Sequence, residues 1–151
     1  MNYLLWAFFI FMAFLLQTKT SLLSVAPNIT AILAYYAGIK YGQNRGVAFG
    51  LLLGAIEDSL SSPILGPNML GKGLVGFSAS LFISGGIFVW TPLLGILGIA
   101  LLTFVDNTAV FLSLSIFDRL PANPSTALFI SIMQALLNSA AGMFIKPAHA
   151  D

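Results

Sequence analysis

Six basic and five acidic side chains are all the charge in this chain of 151 residues. Their placement raises the first chemical question. Glu57 and Asp58 close a run of leucines and glycines, and Lys72 opens the next apolar run. Adjacent carboxylates suggest an acid/base pair, but neighbours on a helix point about 100° apart and do not face one site. Two readings stay open for them. One acid, with Lys72, holds the loop between the two apolar runs or receives a partner; or both acids lie at a membrane edge and meet water. Asp106 and Asn107 differ, because they fall in the middle of a long apolar segment. A carboxylate at such depth is costly unless paired, protonated or wetted. Thr103, Asp106, Val110 and Ser113 share one helix face, and Ser131, Gln134 and Asn138 form a similar stripe further on. Either a polar cavity lies between these two stripes or they hydrogen-bond directly across the helices, and the second is the favoured reading. A later start or strong tilt of the helix would instead bring Asp106 near the interface.

The remaining chemistry is sparse. There is no cysteine and one histidine, His149, which sits in the terminal tail as a solvated residue. That removes thiolate sites and disulfides and leaves no plausible transition-metal set. No G-x-S-x-G, H-E-x-x-H or phosphate-binding glycine loop occurs. An enzyme reading therefore has no nucleophile and base to stand on, and no cofactor is implied.

The elements that must position these residues follow from composition. Hydrophobic residues make up 58% of the chain and charged residues 7%, with mean hydropathy +0.97. A soluble domain is about 25% charged. The outside of this protein is therefore apolar too, which defines an all-α integral membrane protein. A net charge of +1 offers no surface for nucleic acid. The length suits a single polytopic membrane domain over residues 1–151, facing the lipid bilayer.

Helix breakers divide the chain into about six short segments. The first covers residues 3–25; no basic residue precedes it, so it reads as a retained helix and not a cleaved signal. After Pro27, Asn28 is a helix cap for a segment reaching residue 41. A tight turn over residues 42–46 leads to a segment over 45–60, so these two form an antiparallel hairpin. A loop over 61–67 follows, and Asn68 is placed to cap a segment reaching residue 83. Residues 84–86 are a loop candidate. The fifth segment covers 92–117, and the sixth covers 125–145 after a polar turn over 118–124. With six spans, Lys40, Arg45 and Lys146 fall inside and Lys19 and Arg119 outside, so the positive-inside rule leans toward both termini being cytoplasmic.

Gly42, Gly46, Gly50 and Gly54 recur every four residues and line one helix face, where another backbone can approach closely. Packing within the bundle is favoured over contact with another protein. Gly71, Gly73 and Gly76 on the fourth segment, with Gly95 and Gly98 on the fifth, extend the same theme.

Gln17-Thr18, Pro27-Asn28, Gly42, Arg45 and Gly46, then Gly50, Gly54 and Asp58, then Ser61, Leu65, Gly66 and Gly76, together resemble the rod shape-determining protein MreD of bacteria over roughly residues 14–77. Asn28 stands where that pattern commonly has an acid. The resemblance implies a non-catalytic scaffold of the cell-wall elongation machinery in the bacterial inner membrane, acting in peptidoglycan biogenesis. The implied partner is MreC, a protein with one membrane helix, and through it the MreB filament, RodA and a class B penicillin-binding protein. Small-residue helix faces would receive MreC. Asp58, Lys72 and Arg45 would mark loops or the membrane edge, and Asp58 is the acid that fits the pattern. The family also resembles the six-helix S-components of energy-coupling-factor transporters, which makes a vitamin-binding transporter subunit the alternative function. A small accessory subunit of a larger membrane complex is a further alternative.

Overall fold

A computed structural model describes residues 5, 7–12, 15, 25–61, 64–84, 89–120 and 122–147. The glutamine-to-serine stretch after the first apolar run, residues 17–21, and the loop candidate at 85–86 lie outside them. Described residues at 7–12 are helical. Five further helices follow: α1 (Ile29–Tyr41), α2 (Gln43–Ser61), α3 (Pro67–Ser84), α4 (Pro92–Ile116) and α5 (Pro124–Ser139). The fold is all-helical among the described residues, as the sequence predicts.

Local chemistry sets the boundaries. Asn28 caps α1 by accepting a hydrogen bond from the Ala31 N–H at 3.0 Å. Gly42, at φ 83°, ends α1, and its N–H donates to the Gly38 carbonyl. α2 then starts at once, so the expected five-residue turn contracts to one residue. Only glycine takes that backbone conformation without strain, and here it turns the chain into the antiparallel hairpin. Thr91 caps α4 by accepting from the Leu94 N–H, with Pro92 in the first turn. The sixth segment stays α-helical only to Ser139. It then tightens into a 3-10 turn, Ala140–Met143, where Gly142 meets the backbone of Gly95.

α2 packs along both α1 and α3, and α4 lies against α3 and carries α5. The α2–α3 seam is made of glycine. A Cβ on Gly46 would strike the Gly76 carbonyl, one on Gly50 the Lys72 carbonyl, and one on Gly54 the Asn68 carbonyl. Gly38 of α1 meets Gly76 in the same way. Gly42 does not belong to this set, because nothing lies within 4 Å of where its Cβ would be. It serves the turn, and Gly38 takes its place on the packing face.

The radial pattern is that of a membrane protein. Lys72, Asp58, Asp106, Asn138, Thr30 and Thr103 are fully buried. Leu70, Leu74, Phe77 and Leu81 of α3 are exposed, as are Leu93, Leu97 and Leu101 of α4. Among the described residues, two helical stretches are long and apolar enough to cross a bilayer, Pro92–Ile116 and Pro124–Met143. α1, at 13 residues, rises only about 20 Å, against a hydrocarbon thickness of about 30 Å. Six short spans are expected from sequence; the described residues form helices of unequal reach, two of them long and apolar enough to cross a bilayer.

The seam makes a graded prediction. Gly50→Ala drives a methyl into backbone and should cost about 1–3 kcal/mol. Gly73→Ala meets only the Leu51 side chain, at 3.2 Å, and should stay within about 1 kcal/mol of wild type because alanine also favours the helix. Thermal unfolding of the two purified variants checks this; equal destabilisation would contradict the seam.

Candidate functional site

The first pair of acids separates as helix geometry requires. Asp58 turns to the α2–α3 connection. Its carboxylate accepts from the N–H groups of Gly66 (2.8 Å), Asn68 (3.0 Å) and Met69 (3.2 Å), and from Asn68 Nδ2 (2.9 Å). Those N–H groups belong to the start of α3, which has no intrahelical partners for them. Asp58 therefore caps α3 from the end of the preceding helix, at 1% exposure. The cap expected at Asn68 is corrected accordingly: Asn68 lies inside the first turn and is itself held by Asp58. Of the two readings of the acids, loop-holding applies to Asp58 and water-facing does not.

Glu57 points into the bundle, where Lys72 waits. The Lys72 ammonium lies 2.9 Å from Glu57 Oε2, 3.1 Å from Asn68 Oδ1 and 3.4 Å from Asp106 Oδ2. Lys72 is 0% exposed, so its placement at a membrane edge is a second correction. All three of its protons have acceptors, drawn from α2, α3 and α4. Gly71 makes this possible, because its missing Cβ is the space that Asp106 Oδ1 occupies.

Asn28 joins the ion pairs to the rest. Its Oδ1 caps α1, while its Nδ2 donates to Asp106 Oδ2 at 2.8 Å and more weakly to Asn107 Oδ1 at 3.4 Å. Thr30 Oγ1 lies 2.7 Å from Glu57 Oε2 and 2.9 Å from Asn28 Oδ1, and its single proton serves one at a time. Asn107 Nδ2 donates to Gln134 Oε1, and Gln134 Nε2 donates to the Ala26 carbonyl. Asn138 Nδ2 donates to the Asn28 carbonyl and to Thr103 Oγ1. The α4–α5 stripes read from sequence thus meet through Thr103–Asn138, and Asn107, beside the α4 stripe, adds a contact to Gln134. Asp106 does not join that contact and faces α3 instead. Arg45 is exposed at the start of α2. Sequence reasoning missed that Lys72 belongs with Asp106. The available signal was spacing: Asn68, Lys72, Val75 and Ala79 form one stripe on α3, opposite the leucines.

Over this network lies an open cleft of about 300 Å³. Asn28, Glu57 and Asn68 form its base, at the ends of α1, α2 and α3. Its walls are Val110, Phe111 and Leu114 of α4 with Ala127, Ile130 and Ser131 of α5. Among the described residues no cluster of histidine and acids suits a metal ion.

Paired charges inside and leucines outside define a helical membrane protein whose core is locked by polar side chains. A family model, that of the rod shape-determining protein MreD, matches residues 1–85. That is more than half of the chain, and the chain belongs to the MreD family. No curated protein and no solved structure matches it, and the expected likeness to transporter S-components gains no support from them. The matched stretch contains Asn28, Glu57, Asp58 and Lys72, while Asp106, Gln134 and Asn138 lie beyond it.

The ion pairs predict a non-additive response. Lys72→Met leaves Glu57 and Asp106 without their cation and should destabilise by about 3–5 kcal/mol. Adding Asp106→Asn to that variant should recover part of the loss, since it removes the most buried charge. Denaturation of single and double variants measures the coupling; simple additivity would refute a shared charge cluster.

Proposed function

We propose that this protein is a non-catalytic scaffold of the bacterial cell-wall elongation machinery, embedded in the inner membrane as one polytopic domain. Membership of the MreD family is the observation that carries this reading. The polar core agrees with it: Asp58 caps a helix, Lys72 is enclosed by three acceptors, and the ionisable groups serve to hold helices together. An MreC-type protein with a single membrane helix is the proposed partner, with RodA and a class B penicillin-binding protein reached through the assembly.

The glycine faces first expected to receive that partner are occupied inside the bundle, between α1, α2 and α3. The partner helix is therefore placed on the leucine-bearing exterior. Lys40 and Arg45 flank the Gly42 turn, and Lys146 lies 5.7 Å from the ring of Trp90, just before α4. All three gather at the end of the bundle opposite the cleft. The positive-inside rule puts that end, and both termini, in the cytoplasm, with the cleft facing outward. An S-component-like substrate subunit is the second reading, favoured by one observation, the polar-based cleft itself.

Gentle isolation from native membranes tests the choice. Recovery with an MreC-like single-pass protein or RodA is expected. Recovery with a pair of ATPases and a membrane coupling protein would replace the scaffold with a transporter subunit.

A further inference from the structure

The cleft has a chemistry of its own. Its base holds one carboxylate, Glu57, whose side chain is 15% exposed. Lys72 and Thr30 both approach Glu57 through Oε2. Among the described residues Oε1 has no donor. The amides lining the cleft each commit a donor inward, Asn28 to Asp106, Asn68 to Asp58, Asn107 to Gln134 and Gln134 to Ala26, and those of Asn68, Asn107 and Gln134 keep a second N–H. Ser131 donates to the Ala127 carbonyl, leaving its oxygen free to accept. The charged group that the cleft offers a visitor is the Glu57 carboxylate, through Oε1.

Charge points the same way. One lysine stands between two carboxylates, so Glu57 shares its cation with Asp106. Among the described residues no lysine, arginine or histidine lines the cleft. An anion would be repelled by the Glu57 carboxylate, whereas a cation would be attracted to it. The walls select further. Val110, Phe111, Leu114 and Ile130 give an apolar surface, and Phe111 adds an aromatic ring suited to a cation. The volume is at the lower end for small-molecule sites, which run from about 300 to 1,000 Å³.

We propose that this cleft binds a primary ammonium group carried on an apolar body, with Glu57 Oε1 receiving its N–H and the α4–α5 wall receiving the body. Two sources share the primary ammonium: the ethanolamine head of a bilayer lipid, with two methylenes before its phosphate, and a free aliphatic amine.

The full chain in phosphatidylcholine nanodiscs gives the test, with thermal unfolding read against added hexylamine, hexanol or hexanoate. Hexylamine should raise the midpoint, and the other two should not. Glu57→Gln should weaken the hexylamine response at least tenfold. Because that change also touches Lys72, Ala127→Phe serves as the second variant: it fills the cleft, leaves the ion pairs intact, and should abolish the response at an unchanged midpoint without ligand. For the lipid source, native mass spectrometry from discs mixing phosphatidylethanolamine and phosphatidylglycerol should show preferential retention of the former, lost in Ala127→Phe. Retention of the aminolipid assigns the site to the bilayer; a hexylamine response without it assigns a free amine. Equal shifts with hexanol, an unchanged response in folded Ala127→Phe, or neither response nor retention would overturn the proposal.

Discussion

The Lys72 ammonium is the constraint on which the bundle turns. Inside a membrane protein no water is at hand to solvate it, so its three protons must find acceptors in the protein. They find them on three helices: Glu57 from α2, Asn68 from its own α3, and Asp106 from α4. Those distances require the helix axes to lie close together. Glycine supplies the closeness. Gly50 lets α2 settle on the Lys72 carbonyl, and Gly71 leaves room for the Asp106 carboxylate. The ion pairs and the glycine seam are one device: the seam brings the charges within reach, and the charges fix the register of the seam.

Asn28 extends that device to α1 and α5, and its amide is suited to the task in a way an acid is not. It accepts from the α1 backbone with one end and donates to Asp106 with the other. An aspartate there would cap α1 equally well. It would also set a second carboxylate beside Asp106, with no proton to offer when ionised. Where the family pattern commonly has an acid, this chain has the side chain that can bridge.

Much of the fold was legible in the sequence because helix ends have local causes. Pro27-Asn28, Gly42 and Thr91-Pro92 mark boundaries through their own backbone chemistry, and the structure places helix ends beside them. The glycine spacing was legible as a face, though its membership needed correcting at Gly42, whose positive φ no spacing argument reveals. Burial of Asp106 and Asn138 could be expected from their depth in apolar segments, whereas Asn107 and Gln134, expected to be buried with them, are half-buried and line the cleft. Lys72 could not be placed the same way, because its partners lie 15 and 34 positions away. A charge between two glycines was read as a membrane edge, although the outward leucines of α3 already implied that the stripe through Lys72, Val75 and Ala79 faces inward. The Asp58 cap shows the same limit: Asn68 was the nearest capping candidate, and the group that caps is ten residues away.

Helix starts explain why polar groups collect at one end. α1, at 13 residues, and α3 both begin beside the same cluster. A helix start has N–H groups without intrahelical partners, and in a water-poor setting these demand acceptors from the protein. Asn28 and Asp58 are those acceptors. Once they are buried, their remaining lone pairs and protons need partners in turn, which Asp106, Asn107, Gln134 and Asn138 supply from α4 and α5. The cleft opens where these helix ends meet α4 and α5. Network and cleft therefore share one cause, helix starts whose N–H groups must find acceptors inside the bundle.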